Sequence, residues 1–320
     1  MTTPTTGLEP AVLPGRHTVP GRYGVSLAIA VLSAASFGLS GALARSLLDL
    51  GWSPAGVVAV RIVGAFAVLL LACLVLLRPT TRPTAAQWRR MVAYGVVAVA
   101  GAQLCYFSAV QTLSVGVALL LEYLAPVLLI GWHWIRSGRR PATSVFLGAG
   151  LALLGLVFVL DLFSGLTLDP VGVLWGLGAA VCLCAYFVLA EGNDEGTAVA
   201  PLLMTTVGAG VGGLVILLVG VTGLLPLETR TGSTVLGGAR VGWWLPVLLL
   251  IGVTAVLAYL TGIVAVRRLG SSVASFVLLT EVIFAVVFAV ILLSQQPSPT
   301  QLVGGALVLA GIAVVQRRRA

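Results

Sequence analysis

The sequence predicts an all-α polytopic membrane protein, with ten transmembrane helices arranged as two inverted five-helix repeats. Three observations carry that expectation. Of the 320 residues, 59% are hydrophobic and only 9% charged, with a mean hydropathy of +1.12. A soluble domain carries about 25% charged residues, so this chain has too little polar surface to cover a water-facing globule. Apolar runs long enough to cross a bilayer recur along the whole chain. Finally, the two halves align on each other without a gap.

Ten segments meet the length of a spanning helix: 24–44, 54–77, 91–111, 115–135, 142–160, 171–190, 198–224, 243–265, 272–293 and 300–315. The last is short and must stand nearly upright or recruit flanking residues. Ahead of the first run, residues 1–22 are polar and carry Pro4, Pro10, Pro14 and Pro20, the composition of a disordered tail. The first run is too long for the core of a signal peptide, and cleavage near Ala34 would break the repeat. The longest interior loop, about 225–242, is too short for a separate domain. The chain therefore divides into a cytoplasmic N-terminal tail at 1–22, a first repeat at 23–162, a second at 163–316 and a basic C-terminus at 317–320.

All eighteen basic residues are Arg. With the N-terminus inside, fourteen of them fall in cytoplasmic segments: Arg16, Arg22, Arg78, Arg82, Arg89, Arg90, Arg136, Arg139, Arg140, Arg267, Arg268 and Arg317 to Arg319. Three (Arg45, Arg230, Arg240) fall outside, and Arg61 lies within a span. The positive-inside rule then places both termini in the cytoplasm of a multi-pass plasma-membrane protein. Glu191, Asp194 and Glu195 dissent, but acidic residues weigh little in this rule. Trp88, Trp132, Trp134, Trp243 and Trp244 read as interfacial anchors rather than base-stacking platforms, and no nucleic-acid partner is expected.

Residues 109–159 slide onto 265–315 with a fixed offset of 156, and twelve of the 51 positions are identical, among them Ala118/Ala274, Pro141/Pro297, Gly148/Gly304 and Gly155/Gly311. The charges of equivalent turns are exchanged. Gln111-Thr112-Leu113-Ser114 is uncharged where Arg267-Arg268-Leu269-Gly270 is basic, and Arg136 to Arg140 is basic where Leu292 to Gln296 is uncharged. Equivalent loops thus lie on opposite sides of the membrane, as an odd number of spans per repeat requires. Inverted repeats are a recurrent transporter architecture, with the cargo bound near the midplane between the halves. Gly148 and Gly155, two helical turns apart, recur as Gly304 and Gly311, and Gly208 with Gly212 forms a GxxxG. These are packing faces, between spans or at a dimer contact.

Much chemistry is excluded. Without Lys there is no Walker A loop and no Schiff base to retinal or pyridoxal phosphate. With only His17 and His133 there is no HExxH site. Cys73, Cys105, Cys182 and Cys184 lie in apolar runs without metal or disulfide spacing and read as small buried hydrophobes. No enzyme activity, metal or cofactor is expected.

The stretch Leu113 to Val127, with Leu-Glu-x-x-x-Pro at Leu121-Glu122 to Pro126, together with Leu279-Thr280-Glu281 and the closing Leu302-Val303-Gly304-Gly305 to Gly311, resembles the drug/metabolite transporter superfamily of EamA type. The resemblance covers residues 24–316. It implies secondary transport of small metabolites, often export of amino acids, and the Glu122–Pro126 segment is similar to that of the amino-acid exporter branch. Two departures stand out. Val282 follows Glu281 where the family commonly has Pro, and Gln295 and Gln296 stand where a Glu is usual.

Three ionisable residues lie well inside spans: Arg61, Glu122 and Glu281. Such residues must face the protein interior and mark substrate or proton pathways. At 1.5 Å of rise per residue, Arg61 and Glu122 both lie about 11 Å below the outer surface, so a pair between them is geometrically allowed, with Gln103 at similar depth and Glu281 near the midplane. Pro126 has no N–H for the Glu122 carbonyl and should kink its helix. Carbonyl and carboxylate then suit an ammonium group, and Arg61 suits a carboxylate: together they match an amino-acid zwitterion. The competing reading is a structural ion pair that sets helix register. Tyr106, Phe107, Tyr123, Trp175, Tyr186 and Tyr259 are aromatics inside spans and candidate pocket walls. The site expected from sequence is Arg61, Glu122, Glu281, Gln103, Tyr106, Tyr123, Pro126, Tyr186 and Tyr259.

The expected function is export of small metabolites, amino acids or related compounds, by alternating access. The partners are a small-molecule substrate and the lipid bilayer. Protons are the candidate coupling ion, through Glu122 and Glu281, with uniport left open. The alternatives are uptake, another solute class (drug, sugar or nucleotide sugar) and a non-transporting structural protein. Monomer and homodimer both remain open.

Overall fold

A computed structural model describes residues 20–76, 83–109, 112–113, 115–138, 140–159, 169–191, 199–294 and 296–316. The first nineteen residues of the N-terminal tail, the basic C-terminus 317–320, and Asp194 and Glu195 lie outside the described residues, as does the Phe107 side chain. Ten spans are present among the described residues. They are α1 (Pro20–Leu48), α2 (Pro54–Leu76), α3, α4, α5 (Thr143–Val159), α6 (Pro170–Glu191), α7 (Pro201–Val221), α8, α9 and α10 (Pro299–Gln316). Among the described residues, seven helical stretches are long and apolar enough to cross a membrane; α5 and α10 are shorter apolar helices, and α3 is interrupted.

The interruptions fall at equivalent places. α3 is α-helical over Ala85–Ala93, π-helical over Tyr94–Gly101 and α-helical again over Ala102–Ala109. Its mate α8 does the same over Trp244–Ile251, Gly252–Leu257 and Ala258–Leu269. The two π stretches end at Gly101 and Leu257, which are 156 residues apart. α4 is split into α4a (Val115–Glu122) and α4b (Ala125–Ser137), with a turn at Tyr123-Leu124. α9 is split into α9a (Ser271–Leu278) and α9b (Glu281–Leu293), with its turn at Leu279-Thr280. Those turns are again 156 apart, so the backbone itself repeats the sequence offset.

Packing follows the same exchange of halves. α5 packs along α10, α2 along α7, α1 against α8 and α9b, and α6 against α3 and α4a. The repeated glycines serve the first of these contacts. A Cβ on Gly155 would stand 2.7 Å from Gly304 O, and one on Gly311 would stand 2.6 Å from Gly148 O, so the backbones of α5 and α10 touch directly. Small residues permit that approach. Gly208 and Gly212 instead receive Tyr94 and Val99 of α3. Both glycine sets are thus used between spans. The outward surfaces carry Leu71, Leu74, Ile135, Val181 and Leu218, an apolar jacket fit for lipid.

A small hairpin interrupts the all-helical pattern. β1 (Ser233–Leu236) pairs antiparallel with β2 (Ala239–Gly242) through a Gly237-Gly238 turn, both glycines having positive φ, +58° and +79°. Two successive positive φ values define the tight hairpin turn that glycine favours. The hairpin sits at the end of the bundle where α1 finishes. Thr234 donates to Ser46 O at 2.7 Å, and Gly237 N–H donates to Leu292 O at 2.8 Å. The preceding loop is tied down by Trp52, whose indole N–H donates to Arg230 O, and by Ser53, whose hydroxyl donates to Pro226 O, both at 2.5 Å.

Candidate functional site

One end of the bundle holds the start of α1 and the finish of α10 and is called here the termini face; the hairpin covers part of the opposite face. Between the halves lies a cavity of about 860 Å³, walled by α1, α2, α3, α4, α6, α8 and α9. Its lining runs from Tyr186 and Tyr259 in mid-bundle out to Arg45, Leu48, Pro54 and Gln301 at the opposite-face ends of α1, α2 and α10. The cavity therefore opens on the opposite face.

All nine residues expected from sequence line this cavity: Arg61, Gln103, Tyr106, Glu122, Tyr123, Pro126, Tyr186, Tyr259 and Glu281. The reason is solvation. A polar side chain inside a span has nowhere else to go without meeting lipid. Arg61 and Glu122 share the cavity but do not pair. The salt bridge found among the described residues, Arg45–Asp49 at 2.9 Å, lies at the mouth, and the buried Arg61 Nε has no hydrogen-bond partner there. The pair that sequence allowed is therefore not formed among the described residues. Of the other aromatics, Trp175 is 45% exposed on the outside of α6, away from the cavity.

Each acid sits at an end of a broken helix. Glu122 is the last residue of α4a and Glu281 the first of α9b. The expected kink beside Pro126 is present as the Tyr123-Leu124 turn, with Val127 and Leu128 N–H both donating to Leu124 O at 2.9 and 3.0 Å. Pro126 offers no N–H, so the Glu122 carbonyl loses its ordinary donor four residues on. In α9 no proline is needed. Val282 N–H turns to Leu279 O, three residues back, at 3.2 Å, which takes the donor away from Leu278 O. Leu278 is the equivalent of Glu122. Both repeats therefore deprive the same carbonyl, one by removing the donor and one by redirecting it. Such short three-residue bonds inside a helix mark hinges and functional sites.

The cavity floor is aromatic. Phe37 meets Tyr259 edge-on at 5.1 Å, Tyr259 meets Tyr186 at 6.4 Å, and Tyr186 meets Tyr94 at 5.7 Å. The Tyr186 hydroxyl presses on Gly262, where a Cβ would lie 2.6 Å away, and it has no hydrogen-bond partner among the described residues. Phe37, Ser40, Phe187, Ser275 and Gln301 also line the cavity and carry no expectation from sequence, and Gln296, which stands where the family usually has a Glu, lines it too. Gln296 and Gln301 are polar residues at a span end, which reads as solvation; Phe37 carries no signal apart from its apolar run.

Below the floor the termini face is laced shut. Arg90 of α3 donates through Nε to Leu189 O at 2.8 Å and again through a terminal nitrogen. Arg267 of α8 donates to Ala190 O at 3.2 Å. Both guanidinium groups thus cap the C-terminus of α6, where the helix dipole favours a cation. Glu191, the last residue of α6, accepts from Ser271 N–H at 3.3 Å, and His133 meets the Ser271 hydroxyl at 2.9 Å. From sequence, Arg90 and Arg267 count as cytoplasmic charges, and His133 has no assigned role. They also tie α3, α6, α8, α9a and α4b together.

The cysteines depart from expectation. All four are half-buried rather than enclosed. Cys73 meets the Thr206 hydroxyl at 3.0 Å, the Cys182 thiol lies against Gly101 and the Cys105 thiol against Gly178. No group of three or more metal-ligating side chains occurs among the described residues.

Comparison with known proteins gives a consistent result. The EamA-like transporter family matches twice, over residues 24–161 and 170–317. The threonine/homoserine exporter RhtA of Escherichia coli K12 is 28% identical over 294 residues, covering 90% of this chain and 91% of its own. An uncharacterized transporter of Archaeoglobus fulgidus is 26% identical over 212 residues, covering 66% of this chain and 71% of its own. A solved crystal structure superposes with a TM-score of 0.71 at 23% identity, covering 92% of this chain and 97% of the other, and shares the fold. With the family matched in both halves and ten spans in two equivalent sets, the chain belongs to the EamA-like transporter family.

Proposed function

We propose that this transporter exports small amino-acid-like metabolites across the plasma membrane by alternating access, with both termini in the cytoplasm. The observation that carries the reading is the convergence of one unpaired guanidinium, Arg61, with two carboxylates at broken helix ends, Glu122 and Glu281, in one cavity. The substrate ammonium docks on Glu122 and the carbonyl freed beside it, and its carboxylate docks on Arg61. The end of α4a reinforces the first contact, because a helix C-terminus favours a cation. Glu281 remains as the acid not neutralised by substrate and is the candidate proton carrier. The protein performs no covalent chemistry on its cargo.

In this reading the cavity faces outward, and the Arg90, Arg267, Glu191 and Ser271 contacts form the closed cytoplasmic gate. The match to exporters of threonine and homoserine supports the substrate class. The test is efflux of a labelled amino acid, threonine first, from proteoliposomes with and without an imposed pH gradient. Arg61→Gln and Glu122→Gln should cut efflux by about tenfold or more, the loss of one charged hydrogen bond, while the proteins still reach the membrane. Normal efflux from either variant removes the site, and a flux indifferent to the pH gradient removes the proton.

A further inference from the structure

Two helices of different repeats meet through a reciprocal motif. α3 carries Gly101-x-x-x-Cys105 and α6 carries Gly178-x-x-x-Cys182. The two helices run antiparallel, so each cysteine faces the other's glycine. A Cβ on Gly101 would lie 3.1 Å from Cys182 Sγ, and one on Gly178 would lie 3.2 Å from Cys105 Sγ. The glycines let the backbones close up, and each thiol is set against the opposite helix one turn from the other cysteine. Cys184, two residues further along α6, and Cys73, against Thr206, take no part.

We propose that Cys105 and Cys182 are a reversible modification site, closing to a disulfide that pins the first repeat to the second and arrests transport. The reaction is balanced with a lipid-soluble quinone. Each thiol loses its hydrogen, one S–S bond forms, and two electrons and two protons convert the quinone to the quinol. A dithiol reductant reverses it. The arrest rests on the transport reading above. On their other faces α3 and α6 carry cavity walls, Gln103 and Tyr106 on α3, Leu183, Tyr186 and Phe187 on α6. Alternating access moves one repeat against the other, and a covalent bond between these two walls forbids that movement. The half-buried position of both thiols within the bilayer suits an oxidant that partitions into lipid.

The experiment uses the full chain in lipid vesicles, with Cys73→Ser and Cys184→Ser so that only the pair remains. The oxidant is duroquinone, whose ring is fully substituted and cannot add to thiols. The expected result is that alkylatable thiols fall from two to none, intact mass drops by two hydrogens, the unfolding temperature rises, and threonine efflux falls to background. Dithiothreitol should restore all four. Adding Cys105→Ser to the same background should leave a protein that transports and ignores the quinone. Two thiols still alkylatable after oxidation would overturn the site, and a disulfide formed with efflux unchanged would overturn the arrest. The thiol count and unfolding temperature need no substrate. A reduced protein that carries no threonine would therefore count against the exporter reading, while the pair is judged separately.

Discussion

α4 and α9 break at the same point of the repeat, by different means and with different charges beside the break. In α4 the donor is missing, because Pro126 has no N–H; in α9 Val282 has one and spends it three residues back. Glu122 lies before its break and Glu281 after. The common feature is the deprived carbonyl, Glu122 in one half and Leu278 in the other. The hinge therefore belongs to the architecture and is conserved between halves whose local chemistry differs. The acids, by contrast, are placed asymmetrically: one at a helix C-terminus, where the dipole favours a cation, and one at a helix N-terminus, where it favours an anion. A cavity with identical halves could not orient a zwitterion; the asymmetry supplies the orientation that the proposed cargo needs.

The largest expected effect tests whether α9 is built to tolerate what α4 contains. Val282→Pro gives up only the 3.2 Å bond to Leu279 and should cost about 1 kcal/mol. Val287→Pro lies inside α9b on its lipid side, 43% exposed, and should cost about 3 kcal/mol or more, since it loses a regular bond and clashes one turn back. Thermal unfolding of the purified variants would measure both. Equal losses would mean that α9 has no hinge at Leu279-Thr280.

Next is the charge asymmetry. Glu122→Gln removes the proposed ammonium contact, worth about 1.5–3 kcal/mol for a charged hydrogen bond, so efflux should fall roughly tenfold to a hundredfold. Glu281→Gln should remove the response to a pH gradient and spare downhill exchange. If the two variants fail alike under both conditions, the side of the break on which an acid sits has no meaning.

Much of this was legible in sequence, for an identifiable reason. Inside a bilayer, polar side chains have one destination, so Arg61, Gln103, Glu122 and Glu281 could be sent to a common interior without knowing the helix rotations. The kink beside Pro126 was legible too, from its missing N–H, whereas the matching break in α9 was not, because Val282 keeps its N–H and only redirects it. What escaped has its own physical causes. The π stretches of α3 and α8 have no residue signature. The hairpin has a signal in Gly237-Gly238 between short β-prone runs, but runs of four residues are too short to stand out from loop. The reciprocal approach of Cys105 to Gly178 and of Cys182 to Gly101 joins different spans far apart in sequence, and only the rotation of both helices brings them face to face. Arg90 and Arg267 were used up by the positive-inside rule, which says where a charge lies and nothing about which carbonyl it caps.

Pro126→Ala sharpens the comparison from the other side. Alanine restores an N–H able to reach the Glu122 carbonyl, so α4 should gain up to about 1 kcal/mol in stability. The same bond would occupy the carbonyl proposed to receive the substrate ammonium, so efflux should slow as stability rises. A variant that is both less stable and unchanged in efflux would show that the proline acts through packing in its buried position, and that the carbonyl is idle.

The smallest effect belongs to Thr280, which stands in the α9 turn where α4 has Leu124. Its hydroxyl donates to Val277 O at 2.7 Å, and its own N–H reaches the same oxygen at 3.0 Å. Two donors on one carbonyl tighten the turn just ahead of Glu281. Leu124 has no hydroxyl, and its N–H alone reaches Leu121 O at 3.1 Å. Thr280→Val should therefore cost about 0.5–1.5 kcal/mol, the worth of one hydrogen bond, and leave α9 broken as α4 is, because the Val282–Leu279 bond that redirects the donor is untouched. Unfolding temperature and threonine efflux of this variant, measured together, divide the two roles. A small thermal loss with efflux retained makes the hydroxyl a support for the turn. Efflux lost without a thermal change would mean that Thr280 itself meets the cargo, and the asymmetry between the halves would then lie in the turns as well as in the acids beside them.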